Sequence, residues 1–231
     1  MRVLRVVDLC SGFAGFSEGF RQRGHKVLRY DNDERFADIP NTEILDIMDL
    51  NALPEADVIL GSPPCNCFSR MTIRYYWENK RPKNDKARFA VSLVKKIKEL
   101  IDQAHPKYYV IENPIGMMIH VLGKPQMLTW WAAWYSAKDE GIDLKEPPLK
   151  ETYLWGRLPT MDWPSRPTKY ARIDRKSKDR QKGVQGIKDS AVSAKIPYLF
   201  SEALAIACEN GGYQASLYDH CVSMDTSQEV N

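Results

Sequence analysis

Four short apolar runs, at residues 2–8, 26–31, 57–61 and 108–112, alternate with segments, chiefly 12–23 and 85–103, whose apolar residues recur at helical spacing. That alternation restricts the chain more than any other feature. Parallel strands can be joined only through crossovers, and a helix is the usual crossover. The pattern therefore predicts an α/β fold, a mainly parallel twisted sheet with helices on both faces. Residues 12–23 read as a turn and a helix carrying Phe16 and Phe20, and 85–103 as a helix through Phe89, Leu93, Val94, Ile97 and Leu100. Residues 197–208 read as another helix, with Pro197 at its start and Gly211-Gly212 beyond its end. A minor strand is expected near Ile44, and the Trp-rich stretch 125–137 (Trp130, Trp131, Trp134) reads as a further helix. In sheets of this kind ligands bind beyond the carboxyl ends of the strands. The residues expected there are Asp8, Asp31, Gly61 and Glu112.

The 231 residues are enough for one sizeable domain with a small appendage. No run reaches the 18 or so apolar residues of a membrane span, and the first apolar stretch is too short for a signal peptide. A cytoplasmic address and no membrane partner are expected. Five cysteines, at 10, 65, 67, 208 and 221, do not form a disulfide framework. Cys65-Asn66-Cys67 has the wrong spacing for zinc and the four histidines are scattered, so no metal is expected. Net charge is only +3, but it is unevenly placed. Ten Lys/Arg between Arg70 and Lys98 face only Glu78 and Asp85, and nine between Arg166 and Lys188 face only Asp174 and Asp179. Two basic segments on an otherwise acidic chain suit a phosphate backbone, and Tyr75, Tyr76 and Trp77 offer faces for an unstacked base. A pair of solvated Lys-rich loops would give the same composition.

Three motifs carry chemistry. Asp8-Leu9-Cys10-Ser11-Gly12-Phe13-Ala14-Gly15-Phe16 lies at a strand-to-helix junction, where small residues let a ligand approach the backbone. It lacks the pattern of a pyrophosphate loop, which points to the nucleoside or amino-acid end of a cofactor. Asp31, at the close of the second strand, is placed to meet a ribose diol. In Gly61-Ser62-Pro63-Pro64-Cys65-Asn66-Cys67-Phe68-Ser69 two prolines stiffen the turn and fix the direction of the Cys65 thiol, as a nucleophile requires. In Val110-Ile111-Glu112-Asn113-Pro114, burial would raise the Glu112 carboxyl and let it hold a proton near neutral pH. Taken singly, each also reads as an ordinary Gly-rich turn, a buried Cys in a Pro-rich turn, or a strand-end carboxylate.

Together, in this order and spacing, the motifs resemble those of the cytosine-5 DNA methyltransferase family, over residues 3 to about 118. The resemblance implies a Rossmann-like class I methyltransferase fold with S-adenosylmethionine as cofactor and double-stranded DNA as substrate. It implies Cys65 and Glu112 as the catalytic pair acting on a flipped-out cytosine. It places Asp8, Cys10, Gly12, Phe13, Gly15, Asp31, Asn32, Asp46, Ile47 and Pro63 around the cofactor. On the substrate side it places Pro64, Ser69, Arg70, Arg88, Asn113 and Lys150, with segment 70–88 closing over the DNA.

The sequence also departs from the family. Cys10 stands where many members have an aromatic residue, Ala14 replaces a Gly, and Pro114 replaces a Val. The family's QxRxR arginines have no clear counterpart; residues 150–156 are expected to occupy that strand, with Lys150 or Arg157 as partial substitutes. The resemblance is thin after residue 118. Ile196-Pro197 with Glu202 and Ala203-Leu204-Ala205 resembles the closing helix without its preceding Asn. The expected organisation is a catalytic core at 1–156, a reduced and basic target-recognition region at 157–195, a closing helix at 196–213 and a polar tail at 214–231. Such compactness is similar to phage-encoded members, so a bacterial or phage-infected host cell, a monomer and a cognate restriction endonuclease as partner are the expectations. A catalytically idle DNA-binding protein on the same fold and an RNA cytosine-5 methyltransferase remain open readings.

Overall fold

The computed structural model describes residues 2–139, 142, 144–145, 147–169 and 194–212. Its strands and helices follow in chain order as β1 (Arg5–Leu9), α1 (Glu18–Gln22), β2 (Lys26–Asp31), β3 (Thr42–Ile44) and β4 (Val58–Gly61). Next come α2 (Ile73–Tyr76), β5 (Trp77–Glu78), β6 (Arg81–Pro82), α3 (Asp85–Ala104) and β7 (Tyr108–Pro114). The last are α4 (Ile119–Leu122), β8 (Met127–Trp130), β9 (Glu151–Arg157) and α5 (Tyr198–Asn210). Seven strands form one sheet in the order β3-β2-β1-β4-β7-β9-β8, while β5 and β6 form a separate hairpin. The first five sheet strands run parallel, and β9 runs antiparallel to both β7 and β8.

Alternation within each strand sends side chains to two cores. Val6, Leu60, Val110 and Leu154 pack with Phe16 and Phe20 before and within α1 and with Phe200 and Leu204 of α5. Val7, Leu9, Ile59 and Ile111 pack against Val94, Ile97, Leu100 and Ile101 of α3. The expected parallel sheet with helices on both faces is therefore the fold observed, a Rossmann-like arrangement. α3 starts where Asn84 Oδ1 accepts from Ala87 N at 2.9 Å, and it ends at His105 in the left-handed region.

Two expectations are corrected. Residues 125–137 do not form a helix: Met127–Trp130 pairs with β9 as an edge strand and Trp131–Ala133 is a single 3-10 turn. The tryptophan spacing mimicked a helical stripe, but Trp131 and Trp134 are apolar because they cap the core against Phe200. Segment 70–88 is not one loop, since it contains α2 and the β5–β6 hairpin, anchored by buried Trp77 donating Nε1–H to the Cys67 carbonyl at 2.6 Å. Strand bounds differ as well: β1 closes at Leu9 and β7 at Pro114, so Asp8 and Glu112 lie inside their strands. Most of the basic arm 166–188 and the tail from 213 lie outside the described residues.

Candidate active site

The chain leaves β1 for β2 on one side and returns at β4 on the other, so the sheet reverses its order between β1 and β4. This is the position at which doubly wound sheets open a crevice. The turns after β1, β2 and β4 line a cleft of about 340 Å³ there.

The β1 turn is built tightly. Cys10, Gly12 and Ala14 have positive φ, and Ser11 N–H donates to the Tyr30 carbonyl at 3.1 Å. Gly12 N–H donates to Asp31 Oδ2 at 2.8 Å, and Asp33 N–H to Asp31 Oδ1 at 3.1 Å. Two backbone donors thus fix the Asp31 carboxylate while each oxygen retains an accepting lone pair. Asp46 caps a 3-10 turn through Met48 N–H at 2.9 Å, with buried Ile47 beside it. Phe13 meets Phe36 edge-on at 5.0 Å. Gly15 is required by close approach, because a Cβ there would lie 2.5 Å from the Ile196 carbonyl oxygen. Ser201 locks the same junction, donating to the Phe16 carbonyl at 2.6 Å and accepting from Gly19 N–H at 2.8 Å. Of the cofactor residues expected from sequence, Cys10, Gly12, Phe13, Gly15, Asp31, Asn32, Asp46 and Ile47 line this cleft.

Asp8 and Pro63 do not. Asp8 is fully buried, accepts from Ser17 Oγ–H at 2.6 Å, and is raised by burial to about pH 7. It belongs to an internal network with fully buried Arg29, which donates to Ser17 Oγ at 2.9 Å. Pro63 is buried, and its carbonyl accepts from Asn113 Nδ2–H at 2.8 Å, whereas Pro64 and Cys65 face the cleft. Ser62, Phe89, Leu93 and Lys195 also line it and were not singled out from sequence. Phe89 was legible as part of a helical stripe. Phe36 and Lys195 carried no sequence signal.

At the β4–β7 side, Cys65 opens a 3-10 turn immediately after Pro64. Burial pushes its thiol up, the Lys150 ammonium pulls it down and the Glu112 carboxylate pushes it up. Glu112 is 4% exposed, and burial likewise raises its carboxyl against the opposing effects of Lys150 and Thr152. Its Oε1 is buried without a partner. A thiol, a carboxyl and an ammonium thus act on one another across neighbouring strand ends. Lys150 stands just before β9, beyond the carboxyl end of β7, with a left-handed φ of 33° and Nζ 3.4 Å from the Ala194 carbonyl. Arg157, the other substitute, pairs with Tyr109 at the opposite end of β7 and is removed from the site.

The remaining substrate-side residues divide. Ser69 bridges to Gly116, its hydroxyl 3.2 Å from that of Thr72. Arg70 lies 3.9 Å from Glu151, the neighbour of Lys150, and is well exposed. Arg88, by contrast, is held by Asp85 at 2.6 Å on the solvent side of α3 and does not line the cleft. Among the described residues no cluster of His, Cys, Asp and Glu could hold a metal ion, and no helix is long and apolar enough to cross a membrane.

The family model for C-5 cytosine-specific DNA methylases matches residues 4–127, more than half of the chain. Similar curated proteins include the Type II methyltransferase M1.HphI of Haemophilus parahaemolyticus, 28% identical over 52% of this chain and 35% of its own length. M.DdeI of Desulfomicrobium norvegicum is 28% identical over 50% of this chain and 29% of its own length. M.NlaIV of Neisseria lactamica is 25% identical over 68% and 42%. The chain thus spans less than half the length of these relatives. The matched region contains the cleft loops, the Cys65 turn and Glu112, and on that basis the chain belongs to the C-5 cytosine-specific DNA methylase family.

Proposed function

We propose that the chain is an S-adenosylmethionine-dependent DNA cytosine-5 methyltransferase. The observation that carries this reading is the convergence of Cys65, Glu112 and Lys150 beside a cleft suited to a nucleoside ligand. The cleft fits S-adenosylmethionine on its own chemistry. Its lining sets three carboxylates (Asp31, Asp33, Asp46) against two cations (Arg35, Lys195), a balance suited to a ligand with a cationic sulfonium centre. The hydroxyls of Ser11 and Ser62 line it and are buried without a partner. Asp31 would take the ribose hydroxyls and Asp46 the adenine amino group, with Phe13, Phe36 and Ile47 supplying apolar walls. When bound, the cofactor supplies a methyl group on a positively charged sulfur.

The chain's own residues then act on a cytosine extruded from the duplex, since its reacting edge is inaccessible in the stack. Cys65 sulfur adds to C6 of the ring, and the electron pair displaced from the C5–C6 bond makes C5 nucleophilic. Glu112, whose carboxyl is pushed up by burial, donates its proton to N3 and relieves the charge that accumulates there. The Lys150 field favours the thiolate that must attack. After methylation, loss of the C5 proton to solvent, departure of the Cys65 thiolate and return of the N3 proton to Glu112 restore the aromatic ring and the starting state of both residues. Exposed Tyr75 and Met71, on the segment that follows the Cys65 turn, offer surface to the DNA. The designation of the relatives as Type II methyltransferases makes a cognate restriction endonuclease a candidate partner.

The test is methyl transfer from labelled S-adenosylmethionine to duplex DNA and to tRNA, by wild type and Cys65→Ser. Label at C5 of DNA cytosine, lost in the variant, supports the reading. Transfer to tRNA alone would replace it with RNA methylation, and transfer to neither polymer would leave the idle binder. DNA containing 5-fluorocytosine should trap a covalent adduct with wild type, because fluorine cannot leave as a proton does.

A further inference from the structure

The two cations of the cleft are not equivalent. Arg35 is committed to Asp33, donating to Oδ2 from Nε at 2.8 Å and from its terminal nitrogen at 2.6 Å, and it lies over the Phe36 ring at 5.4 Å. Lys195 makes no ion pair among the described residues, yet it lines the same cleft. Its position is built by close packing. A Cβ on Gly15 would stand 2.9 Å from Lys195 Cγ and 2.5 Å from the Ile196 carbonyl oxygen, so the segment before α5 lies directly against the β1 turn. The absence of a side chain at residue 15 gives the Lys195 stem its seat.

The ligand proposed for this cleft carries an anionic carboxylate as well as its cationic sulfur. Asp31, Asp33 and Asp46 repel that carboxylate wherever they dominate the lining. The buried hydroxyls of Ser11 and Ser62 can donate to it but cannot balance its charge. On these grounds, and resting on the function proposed above, we infer that Lys195 is the counter-charge for the amino-acid carboxylate of the methyl donor. It is a binding residue and takes no part in the attack on cytosine.

The experiment compares two ligands that differ only in the amino-acid tail. S-adenosylhomocysteine retains it, and 5′-methylthioadenosine lacks it. Calorimetric titration of the full chain with each is made for wild type, Lys195→Met and Lys195→Arg. Lys195→Met should weaken S-adenosylhomocysteine by about fivefold to tenfold, the size of one partly solvated charge-assisted contact. It should leave 5′-methylthioadenosine within twofold, and Lys195→Arg should restore most of the loss. Raising the salt concentration should narrow the gap between wild type and Lys195→Met. Equal weakening of both ligands, or of neither, would overturn the assignment while leaving the proposed function standing. Failure of wild type to bind S-adenosylhomocysteine at all would overturn both.

Discussion

Asn113 donates from Nδ2 to the carbonyl oxygen of Pro63 across 2.8 Å, tying the strand that carries Glu112 to the turn that carries Cys65. The bond is fully buried, and it fixes two residues that lie fifty positions apart in sequence. Since β4 and β7 pair only as far as Gly61 and Ile111, this side chain continues the connection where the backbone ladder stops. Asn113→Ala leaves the Pro63 carbonyl unsatisfied and should cost about 1 to 3 kcal/mol in denaturant unfolding. It should also lower kcat more than it raises KM for DNA, because the turn that aims the thiol loses its tether. An unchanged kcat would show that the prolines alone hold the turn.

Gly116 makes a second clasp on the same turn. A Cβ there would sit 1.9 Å from the Phe68 carbonyl oxygen, which already accepts from Met117 N–H at 2.7 Å. Gly116→Ala must push the segment after Cys65 away from β7, at about 1 to 3 kcal/mol for an overpacked site. Methyl transfer should fall by at least tenfold, while affinity for S-adenosylhomocysteine, for which the turns after β1 and β2 would supply most of the contacts, should fall by much less. Paired calorimetry and transfer assays separate the two effects.

Much of this arrangement was legible in the sequence because strand periodicity and turn chemistry are local. The strand preceding each of Asp31 and Cys65, and the 20-residue α3 with its Asn84 cap, follow from residues within a few positions of one another. What failed depended on tertiary partners. Met127–Trp130 is a strand only because β9 offers an edge, and nothing within 125–137 announces that edge. The choice between Lys150 and Arg157 is decided by the register of β9 on β7, which sets one at the carboxyl end and the other seven residues away at the opposite end. Asp8 looked like a ligand residue because it opens a motif, but the pleat turns it inward onto Ser17 and Arg29. Lys195 enters the cleft through a contact between residues 180 positions apart in the chain.

Asp57 gives a stability prediction remote from the cleft. Its carboxylate accepts from Arg5 N–H at 2.9 Å, Arg5 Nε–H at 3.1 Å and Arg2 at 2.6 Å, joining the start of β1 to the start of β4. The Arg5 guanidinium beside it holds its carboxyl below the usual carboxylate range. A carboxyl lowered in the folded state contributes stability that is present above its unfolded pKa and is lost as pH falls through the folded one. Asp57→Asn should therefore destabilise by about 1 to 2 kcal/mol at pH 7, the scale of a charge-assisted contact with partly exposed arginines. In urea melts the difference from wild type should shrink progressively below pH 4. A gap that persists undiminished into acid would mean that the carboxylate charge is irrelevant at this position.

The electrostatic coupling of Cys65, Glu112 and Lys150 leads to a prediction on pH dependence. In the proposed reaction Cys65 acts as thiolate and Glu112 as carboxylic acid, so the rate should follow a bell-shaped profile whose limbs belong to the pair together. Burial raises both groups, and the Lys150 ammonium opposes that rise in both. Removing the ammonium must let both move further up, because a positive charge favours the deprotonated form of a thiol and of a carboxyl alike. Lys150→Met should therefore displace both limbs to higher pH. Relative to wild type, activity is lost on the acid side of the maximum and recovered on the alkaline side. Lys150→Arg, which keeps the charge, should leave both limbs near their wild-type positions. A residue that only supported the left-handed turn before β9 would lower the whole profile without moving it, so the position of the limbs, measured as kcat/KM on a duplex substrate, distinguishes a field acting on the reacting groups from a merely structural contribution.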